Sequence, residues 1–254
     1  MGLTPDEIER YSRNLVLPDF GKREQNRLKG AKVAVTGAGG LGCPVSTYLT
    51  LAGIGKIVII DMDNVDLTNL NRQFLYTKDD VGKQKANLAA RRLNEKNPEI
   101  DVSAITDKIT YDNAFDLLKG YDAVVDCMDN FPGRYAVNDA CAVNRVPLFH
   151  GAVLMHEGRA ISIIPEETAC FRCVFPESPP SDMIPPGTGI LGATAGLIGS
   201  IQAFETIRYL ADIEIALKNT LLVINADTMD FSKIKVKRRE DCTACGKVFV
   251  PNPV

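Results

Sequence analysis

The stretch Lys32 to Asp61 constrains this chain more than any other. An apolar run ends in Gly37-Ala-Gly39-Gly40-Leu-Gly42, a segment of helical character follows, and a second apolar run, Lys56-Ile-Val-Ile-Ile, ends in Asp61. That is the strand–turn–helix–strand order of a nucleotide-binding βαβ unit. Glycines at such a turn let the backbone approach phosphate oxygens, and a helix starting near Leu41 aims free N–H groups and its positive dipole end at them. Asp61 falls near the offset of about 20 residues at which a carboxylate meets ribose hydroxyls. Taken alone, the unit fits NAD.

The rest of the chain extends this unit into an α/β protein. Thr4-Pro5-x-Glu7 has the signature of a helix start, and that helix is expected to carry Arg10, Tyr11 and Arg13. Two arginines on one helical face are either solvated or an anion clamp. A helix is expected over 79–94 with Lys85 near its start, strands over 101–106 and 121–126, a helix from Asn130 through Asn144, and an apolar strand over 146–153. Met155-His-Glu-Gly158 is too short for a crossover helix, so the strand over 158–164 is expected to turn back antiparallel. A small-residue helix over 189–210 and strands over 221–226 and 231–236 follow. The fold class expected is therefore a Rossmann-like nucleotide-binding sheet, parallel in its first half and antiparallel after. One domain over 1–254 is expected, with a nucleotide-binding half over about 1–145 and a second half over about 146–254.

The chain of 254 residues is 45% hydrophobic with a net charge of −3. This balance gives no reason to expect nucleic acid or an anionic membrane as partner, since both call for clustered Lys and Arg. The basic run over 233–239 alternates with apolar residues and reads as a half-solvated strand. No stretch is apolar enough for a membrane helix and no leader is evident, so a cytoplasmic protein is expected. In a reducing cytosol, the pairs Cys170/Cys173 and Cys242/Cys245 suit a metal better than disulfides. Four thiolates in a tetrahedron fit a structural, closed Zn²⁺ site that would tie the C-terminal region to the middle of the chain. Redox motifs or plain reduced thiols are the alternatives.

A glycine loop by itself is weak evidence. Asn69, Arg72, Lys85 and Asp129 can converge at the same sheet edge, and such a set of cations and a carboxylate suits a triphosphate with a metal better than a dinucleotide. The competing readings are solvated Arg72 and Lys85 and a helix cap at Asp129. His150 and His156 are expected to be structural, and Cys127, though beside the site, an inert buried thiol.

In order along the chain stand Arg10-Tyr-Ser-Arg13-Asn, Gly37-Ala-Gly-Gly-Leu-Gly42, Asp61-x-Asp63, Thr68-Asn-Leu-Asn-Arg72-Gln-Phe, Val81-Gly-x-x-Lys85, Asp126-Cys-Met-Asp129-Asn130 and the two cysteine pairs. Together they resemble the MoeB/ThiF/HesA family, bacterial relatives of the ubiquitin-activating E1 enzymes, from about Arg10 to Gly246. The resemblance implies a homodimer that uses Mg-ATP to adenylate the C-terminal glycine of a small ubiquitin-fold sulfur carrier ending in Gly-Gly. It assigns Gly39, Gly40 and Asn130 to the nucleotide, Asp61 to the ribose, Asn69, Arg72 and Lys85 to the phosphates, and Asp129 to Mg²⁺. It also implies that Arg13 reaches the partner subunit's ATP, and that the four paired cysteines bind zinc.

The chemistry agrees with those residue types. A C-terminal carboxylate, with a pKa of about 3.3–3.7, is ionised at neutral pH and needs no general base. The barrier lies in bringing it to a polyanion, which Arg72, Lys85, Arg13 and a metal on Asp129 would offset. Some relatives form a sulfur linkage through a cysteine after the first thiol pair. Here no cysteine lies between Cys173 and Cys242, and Pro185-Pro-Gly-Thr-Gly stands in that loop. A separate sulfur donor is therefore expected. An NAD-dependent oxidoreductase and a non-catalytic E1-like scaffold are the competing functions.

Overall fold

The structure is a computed structural model that describes residues 2–178 and 189–246. The loop around Pro185 lies outside the described residues. Among them, eight strands form one sheet: β1 (Lys32–Thr36), β2 (Lys56–Ile60), β3 (Asp101–Ile105), β4 (Ala123–Asp126), β5 (Leu148–Leu154), β6 (Glu157–Ile163), β7 (Thr220–Asn225) and β8 (Asp230–Lys235). The helices in chain order are α1 (Pro5–Arg10), α2 (Ser12–Leu15), α3 (Lys22–Gly30), α4 (Gly42–Ala52), α5 (Lys85–Lys96), α6 (Tyr111–Leu117), α7 (Phe131–Asn144), α8 (Phe171–Val174) and α9 (Gly192–Leu210).

The strand order is β3-β2-β1-β4-β5-β6-β7-β8. β1 to β5 pair in parallel, and β5-β6, β6-β7 and β7-β8 pair antiparallel. The change of direction falls where the short turn after β5 requires it. β1 and β2 are apolar along nearly their whole length because helices cover both faces of the parallel half. α4, α5 and α9 pack against one face, and α6 and α7 against the other. The chain leaves β1 toward β2 on one side and later returns to β4 on the other. That reversal opens a crevice at the carboxyl ends of β1 and β4, the place where open α/β sheets bind ligands.

The small residues of α9 permit the close packing expected of them. A Cβ on Gly199 would lie 2.5 Å from Pro44 of α4, and Ala195 sits against Gly40 of the loop. Gln202 of α9 then reaches the sheet, its Nε2 donating to the carbonyls of Asp126 and Phe149 at 2.8 and 3.0 Å. Glu205, also buried, accepts from Ser162 and from the N–H groups of Ala216 and Leu217.

Two expectations are corrected. Arg10 and Arg13 do not share a helix, because α1 stops at Tyr11, whose ring is buried and whose hydroxyl accepts from Asn97. The helix expected over 79–94 begins at Lys85; before it, Lys78–Asp80 is a 3₁₀ turn in which Asp80 accepts from the N–H of the N-cap residue Thr77 and pairs with Arg92. Gly82, with φ +86°, separates the two. Among the described residues no helix is long and apolar enough to cross a membrane.

Candidate active site and metal centre

The glycine loop turns at the end of β1. Gly37 has φ +99°, and a Cβ there would lie 2.7 Å from the Cys127 carbonyl; on Gly42 it would lie 2.0 Å from the Gly37 carbonyl. Larger residues would push the turn open, so the tight approach requires glycine. Tyr76 closes the loop from behind, its hydroxyl donating to the Ala38 carbonyl at 2.8 Å. Gly39 and Gly40 face a cavity of about 740 Å³, which is also lined by Asp61, Arg72, Lys85, Asp129 and Asn130.

Asp61 follows β2 and is pinned at both oxygens, Oδ2 by the Ala38 N–H at 2.7 Å and Oδ1 by the Asp63 N–H at 2.8 Å. Burial pushes its carboxyl pKa up, while those two N–H groups and nearby Lys85 pull it back. Asp61 lines the cavity, and each oxygen, accepting one N–H, has capacity left for a hydroxyl donor. Lys85, the first residue of α5, is buried, and its ammonium lies 3.3 Å from Asp63. Arg72 donates from Nη1 to the Thr68 carbonyl and to Asn71, both at 3.0 Å, with its aliphatic stem against Gly40. The two cations thus stand on the loop side of the cavity.

Asp129 lines the same cavity, past the end of β4. It does not cap the helix: Asn130 is the N-cap of α7, its Oδ1 accepting from Gly133 N at 2.9 Å, and its Nδ2 donates to Asp129 at 3.0 Å. Asp129 is exposed to the cavity and keeps its other oxygen for a ligand. Asn69 and Arg13 are not among the cavity-lining residues. The Asn69 side chain accepts from Asp66 N at 3.1 Å within the 3₁₀ turn Leu67–Asn69, and Arg13 is exposed on α2.

Sequence reasoning missed Gln73 and Arg134 in the cavity wall. Gln73 is buried beside Arg72. Arg134 stands one helical turn past the Asn130 cap, a spacing that turns it back toward the segment before the helix.

Below the site, His150 is buried, and its Nδ1 lies 2.7 Å from Asp126 Oδ2. Burial pushes its pKa down, so the imidazole is held neutral despite the carboxylate. His156 pairs with Asp227 between two hairpin turns. Neither histidine lines the cavity. Cys127 lines it, but burial raises its thiol pKa well above the ordinary range, as it does for Cys141, and Cys43 is pushed up to about 12. None has the character of a reactive thiolate.

The paired cysteines meet. Their sulfurs all lie within 4.8 Å of one another, with Cys170–Cys242 at 3.5 Å, Cys173–Cys245 at 3.4 Å and Cys170–Cys173 at 3.8 Å. A tetrahedral metal with metal–sulfur bonds of about 2.3 Å sets sulfurs about 3.8 Å apart, so the cluster has the dimensions of a closed four-sulfur site. The Arg239 N–H donates to Cys173 Sγ at 3.3 Å, which would stabilise a thiolate there. The cluster is fastened to α7 by a buried ion pair, Arg172 Nε to Asp139 at 2.9 and 3.0 Å, with Arg172 over the Tyr135 ring. Phe171 N also donates to Asn138 at 2.8 Å.

A glycine loop at the switch point of an open α/β sheet, facing a cleft of cations and carboxylates, defines a nucleotide-binding enzyme of the Rossmann-like class. The ThiF family model matches residues 11–244, and the chain belongs to that family; it is an E1-like adenylyltransferase. It is 41% identical over 253 residues to a sulfur carrier protein adenylyltransferase of Thermus thermophilus, covering 97% of this chain and 93% of the relative. It is 39% identical over 249 residues to the SAMP-activating enzyme E1 of Haloferax volcanii, covering 97% and 92%. Among solved structures, E. coli MccB with ATP superposes with a TM-score of 0.83 at 28% identity, covering 93% of this chain and 74% of MccB.

Proposed function

We propose that this chain transfers AMP from Mg-ATP to the C-terminal glycine carboxylate of a small ubiquitin-fold sulfur carrier ending in Gly-Gly, releasing pyrophosphate. One observation carries the reading: the glycine loop, Asp61, Arg72, Lys85 and Asp129 line a single cavity, in a chain whose relatives include a sulfur carrier protein adenylyltransferase. In this reading a carboxylate oxygen attacks the α-phosphorus. The bond to the bridging oxygen breaks, and pyrophosphate leaves with the electron pair, so no proton has to be moved.

Gly39 and Gly40 bring backbone N–H groups to the phosphates, and Asp61 accepts from the ribose hydroxyls. Arg72 and Lys85 offset the charge that grows on the leaving pyrophosphate. The free oxygen of Asp129 would hold Mg²⁺, which would supply charge neutralisation at the phosphates. The four cysteines hold zinc, which staples the chain and takes no part in the reaction. The residues 1–254 work as one adenylation domain of a cytoplasmic homodimer in which Arg13 reaches the partner's nucleotide, Asn69 turns to the phosphates and Asn130 borders the nucleotide. Sulfur comes from a separate donor protein.

Carrier-dependent ATP–pyrophosphate exchange with ubiquitin-fold proteins ending in Gly-Gly tests the reading. Exchange is expected with at least one such carrier, and calorimetry is expected to show Mg-ATP bound in preference to NAD. Preference for NAD would return the chain to the oxidoreductase reading, and binding of ATP without turnover on any carrier would leave a scaffold. The likeness to MccB, solved with MccA, favours a second reading in which a short peptide is the acceptor, and exchange driven by peptides alone would establish it.

A further inference from the structure

We propose that Arg134 binds the C-terminal carboxylate of the incoming substrate and holds it at the end of the cavity away from Arg72 and Lys85. The inference rests on the adenylation reading and names the group that receives the nucleophile. Arg134 lines the same cavity as the glycine loop and is half-buried. Its Nε donates to the Met128 carbonyl at 3.1 Å, and its guanidinium lies over the Phe131 ring with 5.3 Å to the centroid. Those two contacts fix the plane of the group. Among the described residues, its terminal nitrogens have no hydrogen-bond or ion-pair partner.

The nearest acids are already committed. Asp126 gives Oδ2 to His150 and accepts from Met128 N through Oδ1. Asp129 accepts from Asn130 through Oδ1, and in the adenylation reading its other oxygen is taken by the metal. Asp126, Asp129 and Tyr135 favour the charged guanidinium, whereas Arg159 and burial oppose it, and burial is the largest of these effects. A partly desolvated cation with no acid in direct contact is costly unless an anion arrives with the ligand. A planar guanidinium with two free terminal nitrogens matches a carboxylate in bidentate fashion.

In-line displacement decides which anion. The attacking and leaving oxygens must lie on opposite sides of the α-phosphorus. Arg72 and Lys85, on the loop side, attend the leaving pyrophosphate. The nucleophile therefore needs a cation of its own. Arg134 belongs to α7, on the face of the sheet opposite α4 and α5, and lines the cavity together with Val153 and Leu154 at the end of β5. Each carboxylate oxygen carries two lone pairs, so an oxygen paired with Arg134 keeps one to form the bond to phosphorus, with no proton gained or lost.

The test compares wild type, Arg134→Gln and Arg134→Lys, using a Gly-Gly-ending ubiquitin-fold carrier that supports exchange and the same carrier with its C-terminus amidated. Wild type is expected to bind the free-carboxylate form at least tenfold more tightly than the amide. Arg134→Gln is expected to lose that preference and to raise the carrier KM at least tenfold. Its Mg-ATP affinity should stay within threefold of wild type, with an unchanged melting temperature. Arg134→Lys, which keeps the charge but not the fork, is expected to fall between the two. A preference that survives in folded Arg134→Gln, or a loss confined to Mg-ATP affinity, overturns the proposal. If Arg134→Gln does not fold, a preference undiminished in Arg134→Lys overturns it. Absence of exchange by wild type with every carrier would instead overturn the adenylation reading.

Discussion

In the parallel half of the sheet, the groups that line the cavity sit at the ends of strands built by their own neighbours in sequence. Asp61 directly follows β2, Asp129 comes shortly after β4, and the glycine loop directly follows β1. In the antiparallel half, the corresponding groups are made by remote pairing. Cys170 meets Cys242 across 72 residues, and Arg172 meets Asp139 across 33. The first region is expected to tolerate loss of a cavity-lining side chain such as Asp129 without loss of fold, because its backbone ladder does not depend on that side chain. The second has no such reserve, because β8 is exposed along its whole length and the segment after it is held to the body by the cysteine cluster and the contacts of Arg238 and Arg239.

The largest effect expected from this contrast is on the metal side. Cys242→Ser should reduce bound metal, read by elemental analysis, from one ion per chain to almost none. Structural zinc contributes directly to folding. A loss of about 4 kcal/mol corresponds to a melting shift of about 10 °C for a chain of this size. A variant that keeps its melting temperature would show that the cluster is not structural.

Asp129→Ala is the counterpart in the parallel half. Exchange is expected to fall about a thousandfold, in the range for loss of a group that neutralises transition-state charge, while the melting curve stays in place. Normal exchange by this variant would remove Asp129 from the metal role, and a large melting shift would erase the contrast between the halves.

Arg172→Met breaks the tie between the cysteine cluster and α7. It leaves Asp139 buried without its cation, and about 3 kcal/mol of destabilisation is expected by denaturant unfolding. Arg172→Met with Asp139→Leu should recover most of that loss. If the double variant is no better than the single one, the tie works through packing on Tyr135 alone.

The smallest effect concerns pH. Burial depresses the folded-state pKa of His150 below its usual value of about 6.5, against the pull of Asp126 and with Arg134 and Arg159 adding to the depression. Below about pH 6.5 the unfolded chain binds this proton and the folded chain resists it. The stability contributed by the neutral imidazole is therefore complete above that pH and lost as pH falls beneath it, with a slope of at most about 1.4 kcal/mol per unit. Urea unfolding at pH 7.5 and 5.5 should differ by about 1 kcal/mol more in wild type than in His150→Gln. Equal differences would show that His150 does not titrate with folding.

Much of this was legible from residue order. The βαβ unit, the antiparallel turn after β5 and the convergence of Arg72, Lys85 and Asp129 follow from glycine spacing, short-turn length and acids at strand ends. The breaks at Tyr11 and Gly82 were not, because helical propensity there is overridden by a buried ring and by a positive φ. Asn130, rather than Asp129, caps α7, a choice between adjacent cap-forming residues that pattern alone does not make.

By itself the sequence determined the glycine loop, the parallel direction of the strands around it and which four thiols come together, since each rests on local spacing and on the hydrogen-bonding needs of a few neighbouring residues. Only the tertiary structure decided that the thiols lie at metal–sulfur spacing, that His150 is held neutral on Asp126, and that Arg134 reaches the cavity with free donors. Those facts depend on which remote side chains share a buried space, where desolvation and pairing between distant segments decide charge and position.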